Sequence, residues 1–304
     1  MIKALGLGDN FVDRYVYKGV MYPGGNSVNF AVYSRLLGHD STYLGVLADD
    51  KEGRMIMSAM DFYGVDYSKA PILPNGETGK GSIRLVDGDR VITDDNDGGS
   101  VKHDPLIIDD EVIEYVKGFD VVHMAYFAYM EDQIPKLATA GVPIAYDFAD
   151  FWTDEVFAQI CPHIHIALFS GGEEMDDEEL RGYMKKCYEY GTKVVICTIG
   201  SRGAMVYDGQ EFYEKIPYNR GKKIVDTMGA GDSFFTGFVT AYIDGMKRFN
   251  DLFGEDFDKY TNPSDRDDYR KAVIDMSMHV GNSMAMRTCM TNGSFDRGEA
   301  LTEE

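Results

Sequence analysis

Between residues 109 and 200 the chain repeats one rhythm: short apolar runs at 119–125, 142–147, 164–169 and 193–199 alternate with stretches of helical spacing. Strands that recur with a helix between them are joined by right-handed crossovers, which predicts the α/β class with a mainly parallel sheet flanked by helices. Residues 2–8 read as a buried first strand, and 25–37 as a helix stopped by Gly38. A strand at 42–47 and a helix at 52–63, ended by Gly64, follow. From Gly76 the period changes to two, with Asp87-Gly88 between GSIRLV and DRVIT, a pair suited to a type I′ hairpin turn. Set between α/β units, that hairpin reads as a flap on a single domain spanning 1–304. A second hairpin is expected at Asp208-Gly209, then helices at 231–245 and 267–289, with the charged stretch 246–270 read as a surface excursion with short helical pieces.

A chain of 304 residues at 44% hydrophobic composition has enough apolar surface for one large core. Its formal charge of −21 argues against nucleic acid, because a protein that displaces counterions from a phosphate backbone needs a basic face. No run approaches the roughly 18 apolar residues of a membrane span, so a cytoplasmic protein without a membrane partner is expected. The four cysteines form no C-x-x-C pair and read as reduced thiols. His163 and His165 lie two apart on an expected strand but lack a visible third metal ligand. The two glycine-rich candidates for nucleotide fingerprints fail: GLGDNF puts Phe11 where the third glycine belongs, and TGKG has Pro74 where a P-loop begins with glycine.

Three motifs carry chemistry. In DTMGAGDSF, residues 226–234, a glycine turn passes directly into an apolar-periodic helix. Gly229, Ala230 and Gly231 can aim successive amides at one point, and the helix N-terminus adds partial positive charge, so an anion such as a phosphoryl group is favoured there. Asp232, one residue on, is placed to take a proton from a hydroxyl attacking that phosphorus. An ordinary capped helix would also carry this sequence. In PGGNSVNFA, residues 23–31, Gly24 and Gly25 lead into a helix that sets Asn26 and Asn29 on one face, either as amides for a polyol or as a capped helix start. Asp13 is a third candidate for the same ligand. In TIGSRG, residues 198–203, Thr198, Gly200 and Gly203 sit beyond an apolar strand, where open parallel sheets bind ligands.

Together, and in this order along the chain, these motifs resemble the ribokinase-like, or phosphofructokinase-B, family of carbohydrate kinases over about residues 2–295. The resemblance implies a doubly wound sheet with a small β lid, built from about 12–22 and 76–97, and an ATP-dependent sugar kinase with Asp232 as catalytic base and Gly229, Ala230 and Gly231 as anion hole. It implies sugar contacts at Asp13, Gly24, Gly25, Asn26 and Asn29, and nucleotide contacts at Thr198, Gly200, Gly203 and Asn282. Mg²⁺ is expected at Glu173, in Ser170-Gly171-Gly172-Glu173 where many members have N-x-x-E, and a monovalent cation near Asp226. GDNFVD at 8–13, PGGNSVNFAVY at 23–33 and YDFADFW at 146–152 are similar to the fructoselysine 6-kinase branch, which implies phosphorylation of the 6-hydroxyl of a fructosamine. Arg84, Arg90 and the acidic run Asp94, Asp95 and Asp97 would then pair with an amino acid's charges, or stand simply as solvated lid charges. A kinase for fructose, ribose, a keto-deoxy sugar acid or a nucleoside is the alternative reading, and a sugar-binding sensor the non-enzymatic one. A homodimer through the lid is the expected assembly.

Overall fold

The computed structural model describes residues 1–86, 89–172, 174–218, 221, 223–253 and 263–301. In chain order the first half holds β1 (Lys3–Leu7), β2 (Phe11–Tyr15), β3 (Val20–Gly24), α1 (Asn26–Leu36), β4 (Asp40–Leu44), β5 (Leu47–Ala48), α2 (Lys51–Tyr63), β6 (Ile72–Leu73), β7 (Lys80–Val86), β8 (Asp89–Asp95), α3 (Ser100–His103), α4 (Asp110–Val116), β9 (Val121–Ala125), α5 (Ile134–Ala138) and β10 (Ile144–Asp147). The rest holds α6 (Asp154–Ile160), β11 (Ile166–Ser170), α7 (Asp177–Glu189), β12 (Val194–Thr198), β13 (Ala204–Tyr207), β14 (Phe212–Lys215), α8 (Ala230–Phe253), α9 (Pro263–Thr288) and β15 (Glu299–Ala300).

Eight strands form the main sheet, in the order β14-β13-β12-β11-β10-β9-β1-β4. The six from β12 to β4 pair in parallel, and β13 and β14 add an antiparallel edge. Parallel strands bury both faces, and this sheet does so with two separate cores. On one face Leu5, Val122 and Tyr146 pack with Phe157 and Ile160 of α6 and Leu180 and Met184 of α7. On the other Ala4, Val121, Ala145 and Ile196 pack with Phe30 of α1, Phe235 and Phe238 of α8, and Ile274 and Met278 of α9. The mainly parallel sheet predicted from the strand–helix rhythm, and the doubly wound architecture that the resemblance implies, are therefore the ones observed.

A separate five-stranded sheet, β15-β3-β2-β7-β8, contains the stretches 12–22 and 76–97. The turn at Asp87-Gly88 lies outside the described residues. Three expectations need correction. The strand predicted over 42–47 ends at Leu44, because Gly45 passes so close to the chain that an added Cβ would lie 2.1 Å from the Gly8 carbonyl oxygen. The helices expected over 231–245 and 267–289 run further into the charged stretch 246–270, α8 to Phe253 and α9 from Pro263, and so supply the helical pieces read there. His163 closes a 3₁₀ turn over Cys161–His163 while His165 precedes β11, so the two do not share a strand. The four cysteines are free, as expected.

Candidate active site

A cavity of about 350 Å³ opens where the second sheet meets the loops after the carboxyl ends of β1 and β9 and the start of α8. The turn from β3 into α1 builds its floor. Gly25 holds φ +97°, and an added Cβ would lie 2.6 Å from Asn10 Cα and 2.8 Å from the Phe11 nitrogen, so only glycine passes there. Helix α1 has no side-chain cap of its own at Gly25. Asp9, from the loop after β1, supplies it: its carboxylate accepts from the Asn26 nitrogen at 2.5 Å, the Ser27 nitrogen at 3.0 Å and the Ser27 hydroxyl at 2.7 Å. Burial pushes the Asp9 pKa up, and these donors oppose the shift.

With the helix start fixed, Asn26 and Asn29 point one turn apart toward Asp232 in the first turn of α8. Asn26 Nδ2 donates to Asp232 Oδ1 at 3.1 Å, and Asn29 Nδ2 to Asp232 Oδ2 at 2.5 Å. Each oxygen of the carboxylate is thereby held by a neutral amide. Burial, and secondarily the charge of Asp9, raise the Asp232 pKa to about 6, against the lowering effect of Asn29. The sequence left both asparagines open as ligand amides or as a capped helix start, and both line the cavity. Their N–H groups donate to Asp232 and, in addition, to Asp147 and Ser294, which leaves the Asn29 Oδ1, buried and without a partner, as an acceptor beside the cavity.

Gly229 precedes α8 at φ +72°, and an added Cβ would fall 2.7 Å from both Ser294 Oγ and Tyr33 Oη. Gly231 has open space where its Cβ would project, and Ala230 begins the helix. The first turn of an α-helix with no side chain over Gly231 is what an anion needs, although the Ala230 amide here donates to the Thr227 carbonyl oxygen at 3.1 Å. Asp13, opposite Tyr22, and Gly24, opposite Phe11, are diagonal neighbours across paired strands β2 and β3, and a Cβ on Gly24 would lie 3.3 Å from Asp13 Oδ2 and 3.8 Å from Asn29 Oδ1. The structure thus gathers Asp13, Gly24, Gly25, Asn26, Asn29, Gly229 and Asp232 around one cavity.

Asp13 is buried, and its pKa is raised to about 7 by desolvation first and then by the charges of Asp232 and Asp226. Its ordinary value of 3.8 applies in the unfolded chain. The folded state therefore binds more protons than the unfolded one between these values, and stability falls as pH rises from about 4 through about 7. We expect Asp13→Asn to raise the melting temperature at pH 8 by about 2 °C or more, with no gain at pH 4. Thermal scans at the two pH values check this, and an equal change at both would remove titration of Asp13 as its cause.

Thr198, at the end of β12, Gly200 and Gly203 border a second cavity of about 420 Å³ lined by Arg202, Ala204, Lys215, Ile216 and Tyr218. Asn282 of α9 reaches the same region by donating to the Ile216 carbonyl oxygen at 3.1 Å. This cavity shares no lining residue with the first. Glu173 lies outside the described residues. Asp226 is fully buried, accepts from the nitrogens of Met228 and Gly293, and stands 4.0 Å from the Lys18 ammonium.

Arg84 is the sequence-predicted residue that does not reach the site. Strand alternation sends Ile83 into the cluster with Tyr15 and Tyr22, so Arg84 faces away, half-exposed, bonded to Thr93 and 3.6 Å from Asp94. The side chain of Arg90 lies outside the described residues. Asp95 and Asp97 do line the cavity, whereas Asp94 is taken by Arg84. Sequence reasoning missed Asn10, Phe127, Tyr129, Met228 and Ser294, which also line it, and Asp147, which Asn26 contacts at 3.3 Å. Met228 lies in the glycine turn 226–234, and Asn10 and Asp147 lie in the stretches 8–13 and 146–152, but nothing in those motifs says which of their residues the fold turns toward the cavity.

A family profile described as pfkB family carbohydrate kinase matches residues 9–249. The chain belongs to this family. It is an ATP-dependent phosphotransferase acting on a carbohydrate. The kinase is 35% identical to the fructoselysine 6-kinase of Escherichia coli (strain K12), over 79% of this chain and 89% of the relative. It is 32% identical to the fructosamine kinase FrlD of Bacillus subtilis (strain 168), over 79% and 84%. Among solved structures, Arabidopsis thaliana ribokinase complexed with ribose and ATP superposes with a TM-score of 0.73 at 20% identity, covering 97% of this chain and 95% of that one. Ribokinase from Giardia lamblia superposes at 0.75 with 16% identity, covering 96% and 94%. The ribokinase fold of the kinase follows from these superpositions. No helix among the described residues is long and apolar enough to cross a membrane.

Proposed function

We propose that this kinase transfers the γ-phosphate of ATP to the 6-hydroxyl of a fructosamine, a sugar joined to an amino acid, with fructoselysine as the type substrate. The observation that carries this reading is the charge of the acceptor cavity. Asp9, Asp13, Asp95, Asp97 and Asp232 line it, with Asp97 already paired to Lys102, and no Lys, Arg or His is among the described residues that line it. A phosphorylated sugar is repelled by such a lining, although an ATP-dependent 6-phosphofructokinase from Thermoanaerobacterium thermosaccharolyticum is a relative at 26% identity. An acceptor carrying an amine is attracted. The names of the two relatives at 32% and 35% identity agree with that chemistry.

In the proposed reaction Asp13 and the Asn29 Oδ1 orient sugar hydroxyls, and Asp232 takes the proton of the 6-hydroxyl as its oxygen bonds to the γ-phosphorus. The bond from that phosphorus to the β-phosphate oxygen breaks, and ADP leaves. Negative charge on the transferred phosphoryl oxygens meets the amides of Gly229, Ala230 and Gly231 at the start of α8. The nucleotide occupies the second cavity, beside Thr198, Gly200, Gly203 and Asn282. No group of three metal-ligating side chains occurs among the described residues. That suits Mg²⁺ held mainly by phosphate oxygens and water, with Glu173 as the carboxylate proposed to orient it. The chain acts as one domain, and the second sheet, through Asp13 and Asp95, serves as its lid.

Side-by-side kcat/KM values for fructoselysine, fructose, ribose, adenosine and fructose 6-phosphate with Mg-ATP test the proposal. Each well-placed charged hydrogen bond is worth roughly 1.5–3 kcal/mol, so two of them separate fructoselysine from fructose by about two decades or more. A higher value for ribose, adenosine or the phosphorylated sugar would overturn the substrate assignment and leave the kinase chemistry intact.

A further inference from the structure

From the cluster beneath the cavity we infer that Asp147 is a positioning residue, which holds the catalytic base through Asn26 without touching either substrate. This rests on the reading of Asp232 as the base. Asp147 ends β10, is 4% exposed, and is absent from the cavity wall that contains Asn26 and Asp232. One nitrogen joins the two carboxyl groups: Asn26 Nδ2 donates to Asp232 Oδ1 at 3.1 Å and to Asp147 Oδ2 at 3.3 Å. An amide has two N–H groups on that nitrogen, and here each has its own carboxyl acceptor. The opposite amide orientation would set its oxygen against two carboxyl groups, so the chemistry of the neighbours fixes which atom points inward.

Asp147 is itself anchored, because its Oδ1 accepts from the Ala149 nitrogen at 2.8 Å across a turn in which Ala149 holds φ +52°. The rigid end of a central strand is thereby connected through one amide to the first turn of α8. Without Asp147, the second N–H of Asn26 has no partner in a buried place and the amide is free to rotate toward another acceptor. Asp232 Oδ1 then loses its fixed donor, while Oδ2 stays with Asn29. Loss of orientation at a base lowers the rate of the chemical step and leaves substrate affinity alone.

The groups facing Asp147 support an uncharged carboxyl. Burial first, then the charges of Asp232 and Asp9, raise its pKa to about 8, against the opposing bonds from Ala149 and Asn26. His123, on the neighbouring β9, is pushed down to about 3 by burial and supplies no positive charge. Asp147 therefore retains its proton at neutral pH while Asp232 gives its own up, which separates the anchor from the base.

A double-mutant cycle on the full chain decides the point. Asp147→Ala is expected to lower kcat about tenfold, with the KM values for sugar and ATP changed by less than about twofold. In an Asn26→Ala background the same substitution is expected to change kcat by less than about twofold, because the bridge is already gone. Asp147→Asn, which keeps the volume, is the second variant should the alanine form fail to fold, with the same pattern and a loss of about threefold. Equal losses in both backgrounds, no loss in the native background, or a raised sugar KM at unchanged kcat would each overturn the inference. Asp232→Asn assayed beside them separates the two readings: if it keeps its rate the base assignment fails, whereas an inactive Asp232→Asn with an additive cycle sinks the role of Asp147 alone.

Discussion

Asp232→Asn is expected to lower kcat by at least about a hundredfold with no fall in melting temperature, since loss of a general base costs two to four decades. The substitution keeps the shape of the side chain and removes its capacity to take a proton. Two amide nitrogens already hold both carboxylate oxygens, so an asparagine at 232 directs its NH₂ toward one of those donors and also loses a hydrogen bond. The folded protein, by contrast, is relieved of a buried charge near Asp9, and its stability at neutral pH does not suffer. A second readout follows from the pKa of about 6: the base must be ionised, so the wild-type kcat falls tenfold per pH unit below about 6 and is flat above it. In the asparagine variant that acid limb disappears and the residual rate no longer follows pH in this range. A purified variant that melts normally and keeps a quarter of the wild-type rate would show that another group takes the proton.

Gly229→Val is expected to lower kcat by about a hundredfold, through the phosphate cradle and the base together. The backbone there is left-handed at φ +72°, a conformation that costs a β-branched residue of order 1–3 kcal/mol. Any Cβ also falls 2.7 Å from Ser294 Oγ and Tyr33 Oη. Ser294 accepts a hydrogen bond from Asn29 Nδ2 at 3.2 Å, and the same nitrogen holds Asp232 Oδ2. A side chain at 229 thus displaces Ser294, disturbs Asn29, and turns the amides of the α8 start away from the transferring phosphoryl group. Removing one donor from a comparable anion hole costs about two to three decades in kcat. Gly231→Ala is the control, because its Cβ projects into open space and the helix accepts it, so any rate lost there reports the approach of the ligand and not the fold. Equal activity of Gly229→Val and wild type would remove this turn from the mechanism.

The fold was legible to the extent that it depends on local pattern. Apolar strands at regular intervals specified the parallel sheet, and glycines at Gly38 and Gly64 stopped α1 and α2 at φ +86° and +72°. Reading failed where backbone approached backbone, as at Gly45, and in the charged stretch before α9, where helices extend further than their mixed composition suggests. The motifs brought out Asp232 and the two glycine turns that the fold places around the cavity, because each depends on residues adjacent in sequence.

What only the tertiary structure decided is how residues far apart share hydrogen bonds. Asp9 caps a helix that begins seventeen residues later, and Asn26 and Asn29, expected to face the ligand, give their N–H groups to Asp232 more than two hundred residues away. Nothing in the spacing of Asp147 announces that it shares Asn26 with the base, and nothing in a β-strand near a hairpin says which face carries Arg84. Local sequence fixes a backbone's course through short-range sterics and periodic burial. The partners of a buried polar group are set by which strand ends and helix starts the fold brings together, and that is a property of the packed chain.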